Sequence, residues 1–159
     1  MALNAVVEIA CAKGSRSVPI RDFILAPRKI DLAANEMVTG ISFPLGSHPQ
    51  FSLFSKLGSR QYLVISIAMV AVNVSINEVG KVSNIGIEVG ACSAVAQRLE
   101  ALENDCLGLS IGQLEAIIEA RHVEQLNPLN DLRASANYRR QSVLHLLRAA
   151  FRALSEEVT

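Results

Sequence analysis

The sequence lacks an excess of charge of either sign and any long apolar run. Its 15 lysines and arginines balance 15 aspartates and glutamates, so the formal net charge is zero. Because a chain without a basic excess attracts neither the phosphate backbone of nucleic acids nor anionic lipid headgroups, these partners are not expected. The most apolar stretch, residues 64–72, is too short to cross a bilayer. We therefore predict that the chain binds neither nucleic acid nor membranes.

The sequence also lacks the spacings that are typical of metal, disulfide and catalytic sites. Cys11, Cys92 and Cys106 form an odd set without a C-x-x-C pair, which argues against a disulfide framework and a zinc site and fits a reducing cytoplasm. The three histidines show no H-x-x-x-H spacing, and no nucleophile elbow, P-loop or dinucleotide-binding glycine motif is present. We expect no metal site and no activity of the chain by itself.

What the sequence has in abundance is β-branched apolar residues. Residues 63–76 are apolar at most positions and rich in Val and Ile, which favours a central strand covered on both faces. Alternating apolar residues at 37–43, 51–57 and 82–89 predict neighbouring strands, and the short connections indicate an antiparallel meander. A short β-hairpin is expected before them, at residues 6–20.

From residue 93 onward the apolar residues recur at helical spacing. This pattern predicts a first helix that ends at Gly108, a second that Ser110 caps, and a long final helix with an apolar stripe from Val143 to Leu154. We therefore predict an α+β fold, in which an antiparallel β-meander of about four strands is followed by three helices packed on one face. The composition changes near residues 27–34, which predicts a hairpin domain at residues 1–30 and an α+β domain at 31–159.

A few residues could carry chemistry or binding. Cys92 lies at a strand-to-helix junction, where it is either a nucleophile activated by the helix N-terminus or a small buried residue. In the final helix, Arg139, Arg140, Arg148 and Arg152 lie off the apolar stripe. We expect these arginines to be solvated or in ordinary ion pairs rather than to form a partner-binding stripe.

Four motifs occur in order along the chain. Residues 14–23 read GSRSVPIRDF, residues 32–44 contain EMVTGISFP, residues 54–60 read FSKLGSR, and residues 131–140 read DLRASANYRR. Together they resemble the flavoprotein (medium) subunits of molybdenum hydroxylases of the carbon monoxide dehydrogenase and xanthine dehydrogenase type. The first motif is similar to the end of their FAD-binding domain, and the second to the segment that opens their C-terminal domain. The last two match the patterns F-x-K-x-x-x-R and D-x-R-x-S-x-x-Y-R-R.

The resemblance implies a subunit that holds FAD between an iron–sulfur protein and an external electron acceptor. It implies an oxidoreductase complex with a molybdenum-containing large subunit and an iron–sulfur small subunit, in which the C-terminal domain packs beside the flavin. By position, Lys56, Arg60 and Gln61 are the candidates to face the flavin, because a cation near the pyrimidine end of the ring would stabilise its reduced form. The alternative is that Lys56 and Arg60 are solvated loop charges.

Two departures from the family limit what the chain can do alone. The glycine-rich loops that bind the FAD pyrophosphate have no counterpart in this sequence, and Val64 stands where the family commonly has an acidic residue. We therefore expect no tight binding of FAD to this chain alone, and interpret it as the tail of an FAD-binding domain, otherwise missing, followed by a C-terminal domain. The alternative is a stand-alone dimerisation or binding module that has lost flavin binding and associates as a homodimer.

Overall fold

Two separate hydrophobic clusters divide the chain. A computed structural model describes residues 1–46, 50–60, 62 and 64–158. By their contacts, residues 3–45 form a first unit together with Met1, and residues 46–159 form a second unit together with Ala2. The first unit buries a small cluster, whereas the second buries a large one between a sheet and several helices.

The first unit is built around a three-stranded antiparallel sheet. The apolar residues Val7 and Ile9 alternate with polar ones, and they pack with Phe23 beneath the sheet. The elements are β1 (Val6–Cys11), β2 (Gly14–Pro19), α1 (Ile20–Phe23), β3 (Ile24–Ala26), β4 (Lys29–Ile30) and β5 (Met37–Ser42). Strand β1 is central and pairs with β2 through the predicted hairpin and with β5 on its other edge, while β3 and β4 form a short separate ladder.

The position of β5 corrects one expectation. We expected this strand to open the four-stranded meander, but it pairs with β1 instead. Side chains fix this choice, because the hydroxyl of Thr39 donates to the Glu8 carbonyl at 3.2 Å and that of Ser42 donates to the Glu8 carboxylate at 3.1 Å. A strand pattern predicts that a segment is extended, but the partner depends on contacts that are distant in sequence.

The second unit is an antiparallel sheet with helices on one face, as predicted. Its elements are β6 (Gln50–Leu57), β7 (Ala68–Ile76), β8 (Val82–Gly90), β9 (Gln97–Arg98), α2 (Glu100–Cys106), a first 3-10 helix (Ile111–Ile117), a second 3-10 helix (Ala120–Val123) and α3 (Ala136–Val158). The strand order is β6-β7-β8-β9, with sequence neighbours paired throughout. The α+β fold is therefore confirmed, with β9 rather than β5 as a strand of this sheet.

One face of this sheet forms the core with the long helix. On β7, Val70, Val72 and Val74 point inward in alternation, and on β8 Ile87 and Val89 do the same. The stripe predicted for α3 joins the same core, with Val143, Leu147, Ala150 and Leu154 buried and Leu146 partly buried. Phe151, which was not part of the predicted stripe, is also buried there. The outward face of β7 is more polar, since Ser52 on β6 donates to Asn73 at 2.7 Å there.

Several boundaries differ from the sequence pattern. Strand β7 begins at Ala68, five residues later than predicted, and Ile65 in the preceding connection is 64% exposed. The helix that was expected from residue 93 onward is α2, and it begins only at Glu100, because Arg98 still pairs with Glu88 on β8. The segment that Ser110 caps is a 3-10 helix. Apolar composition alone therefore overestimated the length of the regular elements.

Candidate functional site

The predicted flavin-facing residues lie at the end of β6. The ammonium of Lys56, which is exposed, donates to the carbonyl oxygen of Val64 at 2.8 Å. Arg60 follows in the connection between β6 and β7 and is also exposed, whereas Gln61 lies outside the described residues. The structure therefore brings Lys56 into contact with the Val64 backbone, so that the ammonium holds the connection in addition to carrying a charge.

The connection between β6 and β7 is closed tightly at its base. The N–H of Ile67 donates to the Leu57 carbonyl at 2.8 Å, and this hydrogen bond joins the last residue of β6 to the last residue of the connection. Gly58 lies so close to Val64 that a Cβ atom there would be 2.5 Å from a methyl group of Val64. Because real Cβ atoms do not approach others this closely, a side chain at position 58 would push Val64 away.

Arg139 on α3 reaches the same end of the sheet. Its side chain is only 4% exposed, and its Nη1 donates to the carbonyl oxygens of Ile67 at 2.6 Å and Ala91 at 3.3 Å. Its Nη2 donates to Asp131 Oδ1 at 2.8 Å, and its Nε has no partner among the described residues. Arg139 does form an ion pair, with Asp131, but the prediction that it lies off the buried stripe, solvated or in an ordinary ion pair, is wrong because its side chain is buried.

Asp131 completes this arrangement from the loop before α3. Besides Arg139, its carboxylate accepts hydrogen bonds from the backbone N–H groups of Arg133 at 2.9 Å and Ala134 at 3.2 Å. The guanidinium of Arg139 holds the pKa of the Asp131 carboxyl well below its usual value, and the two N–H groups and Arg133 act in the same direction. Asp131 therefore stays ionised and fixes the loop against the helix.

Ala91 has an unusual backbone conformation where it meets Arg139. Its φ of +63° lies in the left-handed region, which L-residues other than Gly, Asn and Asp rarely occupy. Such a conformation persists only where its surroundings hold it. The hydrogen bond from Arg139 to the Ala91 carbonyl is one such restraint.

The other motif residues anchor the start of α3. Ser135 accepts a hydrogen bond from the N–H of Tyr138 at 3.1 Å, as a helix-capping side chain does. Arg140 donates through Nη2 to the Leu126 carbonyl at 2.9 Å. The motif at residues 131–140 is thus a set of capping and anchoring contacts.

One signal in the sequence pointed to Arg139. It lies four residues before Val143 and eight before Leu147, so it continues the buried stripe of the helix. The prediction that Arg139 lies off that stripe is therefore wrong. The other arginines of α3 are more ordinary, since Arg148 donates to the Ile118 carbonyl at 3.1 Å and Arg152 forms an exposed ion pair with Glu115.

Neither cysteine chemistry nor a metal site is supported by the described residues. Cys92 is completely buried, and burial raises the pKa of its thiol, so it is not an activated nucleophile. Burial also raises the pKa of the Cys106 thiol, to about 12. Within the described ranges, no group of three or more His, Cys, Asp or Glu side chains is placed to hold a metal ion. In the same part of the chain, no helix is both long and apolar enough to span a membrane.

Comparison with known families identifies both parts of the chain. Residues 54–154 match the CO dehydrogenase flavoprotein C-terminal domain. Residues 1–46 match the FAD binding domain in molybdopterin dehydrogenase. The two matches follow each other in the order that the four sequence motifs predict.

Individual relatives agree with these matches. The chain is 30% identical over 157 residues to the glyceraldehyde dehydrogenase medium chain of Sulfolobus acidocaldarius, covering 97% of this chain and 54% of that protein. It is 31% identical over 150 residues to the nicotine 6-hydroxylase medium subunit of Paenarthrobacter nicotinovorans, covering 93% of this chain and 51% of that protein. This chain thus spans about half the length of these relatives.

A solved structure shows the same fold. Carbon monoxide dehydrogenase from Hydrogenophaga pseudoflava, in a form that lacks the Mo-pyranopterin moiety of the molybdenum cofactor, superposes with a TM-score of 0.81 and 26% identity. The superposition covers 93% of this chain and 51% of the other. With the family matched over residues 54–154, well over half of its length, the chain belongs to the CO dehydrogenase flavoprotein C-terminal domain family.

Proposed function

We propose that this chain is the C-terminal part of the flavoprotein subunit of a molybdenum hydroxylase-type oxidoreductase. The observation that carries the proposal is the match of an FAD-binding family and a flavoprotein C-terminal family in order along one chain. In this role the chain has no activity alone and packs beside FAD and other subunits. The domain boundary that composition places between residues 30 and 31 stays a prediction.

The candidate site suits the isoalloxazine ring of FAD but not its pyrophosphate. Lys56 and Arg60 are exposed cations at one end of the sheet, and an ammonium that donates once to Val64 retains two further N–H groups. Such groups suit the pyrimidine edge of the isoalloxazine ring, where negative charge develops on reduction. The pyrophosphate requires glycine-rich loops that this sequence does not contain. FAD, when bound in the complete subunit, supplies the transfer of electrons to an external acceptor.

Partner subunits follow from the same proposal. The relatives are called a medium chain and a medium subunit, and a further relative is named as a subunit of a dehydrogenase complex. We propose contacts of this chain with a molybdenum-containing large subunit and an iron–sulfur small subunit. The exposed Leu129 and Leu132, which flank the Asp131 anchor, offer apolar surface for such contacts. We also propose a cytoplasmic location, which suits the free thiols of Cys92 and Cys106.

Co-expression tests the proposal directly. The chain is produced together with the product of the coding region immediately upstream, and the mixture is analysed by size exclusion with flavin absorbance. We expect a co-eluting complex that contains flavin, because the upstream product would supply the pyrophosphate-binding loops. A colourless chain that elutes alone as its own dimer would contradict the oxidoreductase role and favour an association module.

A further inference from the structure

One buried arginine joins three loops at a single end of the second unit. The connection between β6 and β7 ends at Ile67, the segment after β8 begins at Ala91, and the loop before α3 contains Asp131. Arg139 donates to all three, at 2.6, 3.3 and 2.8 Å respectively. Because β6, β7 and β8 are antiparallel neighbours, the last residue of β6, the first residue of β7 and the last residue of β8 lie at the same end of the strands.

We propose that Arg139 is the positioning residue that sets the conformation of the connection between β6 and β7, and thereby the placement of Lys56. This inference rests on the proposed function, in which that connection faces the flavin. Arg139 acts through the backbone of Ile67.

The hydrogen bonds at Ile67 show how this influence is transmitted. The N–H of Ile67 is bound by the Leu57 carbonyl, and its carbonyl is bound by Arg139, so both backbone groups of the residue are fixed. Three residues earlier, the Val64 carbonyl is bound by Lys56. A shift of the Ile67 peptide group would therefore move the short segment that carries the Val64 carbonyl, and with it the acceptor that orients Lys56.

Only a guanidinium can make this set of contacts from one side chain. Two of its nitrogens donate in different directions, Nη1 to two backbone carbonyls and Nη2 to the Asp131 carboxylate. The group is buried, so these contacts are not replaced by water when they are lost. A lysine at this position keeps the charge but presents a single ammonium, which cannot span the same acceptors.

The neighbouring residue provides a matched comparison. Arg140 lies next to Arg139 on α3 and also binds a backbone carbonyl, that of Leu126, through Nε and Nη2. Leu126 lies outside the connection between β6 and β7. An arginine that merely stabilised the fold would resemble Arg140 in its effects, whereas a positioning residue would alter the connection specifically.

The test compares Arg139→Lys and Asp131→Asn with the control Arg140→Lys. The first readout is limited trypsin digestion of the chain itself, in which mass spectrometry follows cleavage after Arg60, which lies in the connection, whereas Lys56 lies within β6. We expect about tenfold faster cleavage after Arg60 in Arg139→Lys, the effect of losing one hydrogen bond to a charged group, and a smaller increase in Asp131→Asn. Arg140→Lys should be cleaved after Arg60 as the wild type is.

The second readout is the flavin midpoint potential of the co-expressed flavoprotein. We expect a shifted potential in Arg139→Lys and Asp131→Asn and an unchanged one in Arg140→Lys. If Arg139→Lys does not fold, as judged by circular dichroism, Asp131→Asn carries the test, because it keeps the guanidinium and the shape of its partner. Unchanged cleavage in the folded variants would overturn the inference, whether or not the flavin midpoint potential shifts.

The two proposals fail in different ways. Faster cleavage with an unchanged potential would show that Arg139 holds the connection but that the connection does not face the flavin, which would overturn the role proposed for it. A colourless co-expression product would contradict the proposed function alone. The digestion of the chain would still decide whether Arg139 controls the connection.

Discussion

The two units of this chain bury their apolar residues to different extents. In the second unit, the inward residues of β7 and the stripe of α3 form a continuous buried cluster. In the described part of the first unit, the buried cluster consists of Val7, Ile9 and Phe23, and β5 leaves Met37 66% exposed. Because buried apolar area supplies most of the stability of a domain, we expect the second unit to be the more stable.

Each unit also has an arginine that ties distant segments together. In the first unit, Arg16 donates to Glu36 at 2.8 and 2.9 Å and to the Asp31 carboxylate at 2.7 Å, with 37% of its side chain exposed. In the second, Arg139 makes a comparable set of contacts while buried. Guanidinium hydrogen bonds therefore link surface segments beside the small core of the first unit. In the second unit, they hold loops from within the large core.

The largest expected effect comes from the core of the second unit. Phe151 is completely buried beneath the sheet, so Phe151→Ala removes many packing contacts and leaves a cavity. We expect this change to lower the free energy of unfolding of the second unit by about 3–5 kcal/mol. Hydrogen exchange, followed by mass spectrometry, would measure the loss at β7 and β8. Unaltered protection there would contradict the assignment of these strands to one core with α3.

A smaller loss is expected from the matching change in the first unit. Phe23 packs on Val7 and Ile9 in a cluster with few members. We therefore expect Phe23→Ala to lower the free energy of unfolding of the first unit by about 3 kcal/mol, the low end for a buried Phe. Since the cluster is small, this loss should unfold the first unit while the second keeps its protection in hydrogen exchange. Equal loss of protection in β1 and β7 would show instead that the chain unfolds as one cooperative body.

The spacing of apolar residues correctly predicted the buried faces of elements that are determined by residues close together in the sequence. The alternation of Phe51 and Leu53 against Phe54 gave the correct faces of β6, and the spacing from Val143 to Leu154 gave the buried stripe of α3. The partner of β5 could not be predicted, because both the meander and the observed pairing with β1 satisfy its pattern. Non-local pairing is decided by contacts, and a single sequence does not reveal those contacts.

The candidate site was less predictable than the fold. The resemblance selected Lys56 and Arg60, but the contact of Lys56 with the Val64 carbonyl depends on the path of a turn that composition does not specify. The sequence analysis places Arg139 off the buried stripe of α3, although its spacing from Val143 and Leu147 continues that stripe and its side chain is buried. A buried guanidinium is stable only when backbone carbonyls and a carboxylate meet it, and these come from three distant segments.

The smallest expected effect is an acid sensitivity of the first unit. The Arg16 guanidinium, together with the Ala33 N–H, lowers the pKa of Glu36 from 4.5 to about 2. The folded unit therefore binds fewer protons than the unfolded one, so this contribution to stability is complete above the ordinary value and is lost as the pH falls towards 2. The pKa of Asp131 is lowered as well, so the second unit also loses some stability in acid, but its larger core keeps it folded. We expect Glu36→Gln to flatten the pH dependence of amide signals from β1 and β5, and to leave those of β7 unchanged. The same acid dependence in the variant and the wild type would show that the Arg16 network does not support the small core.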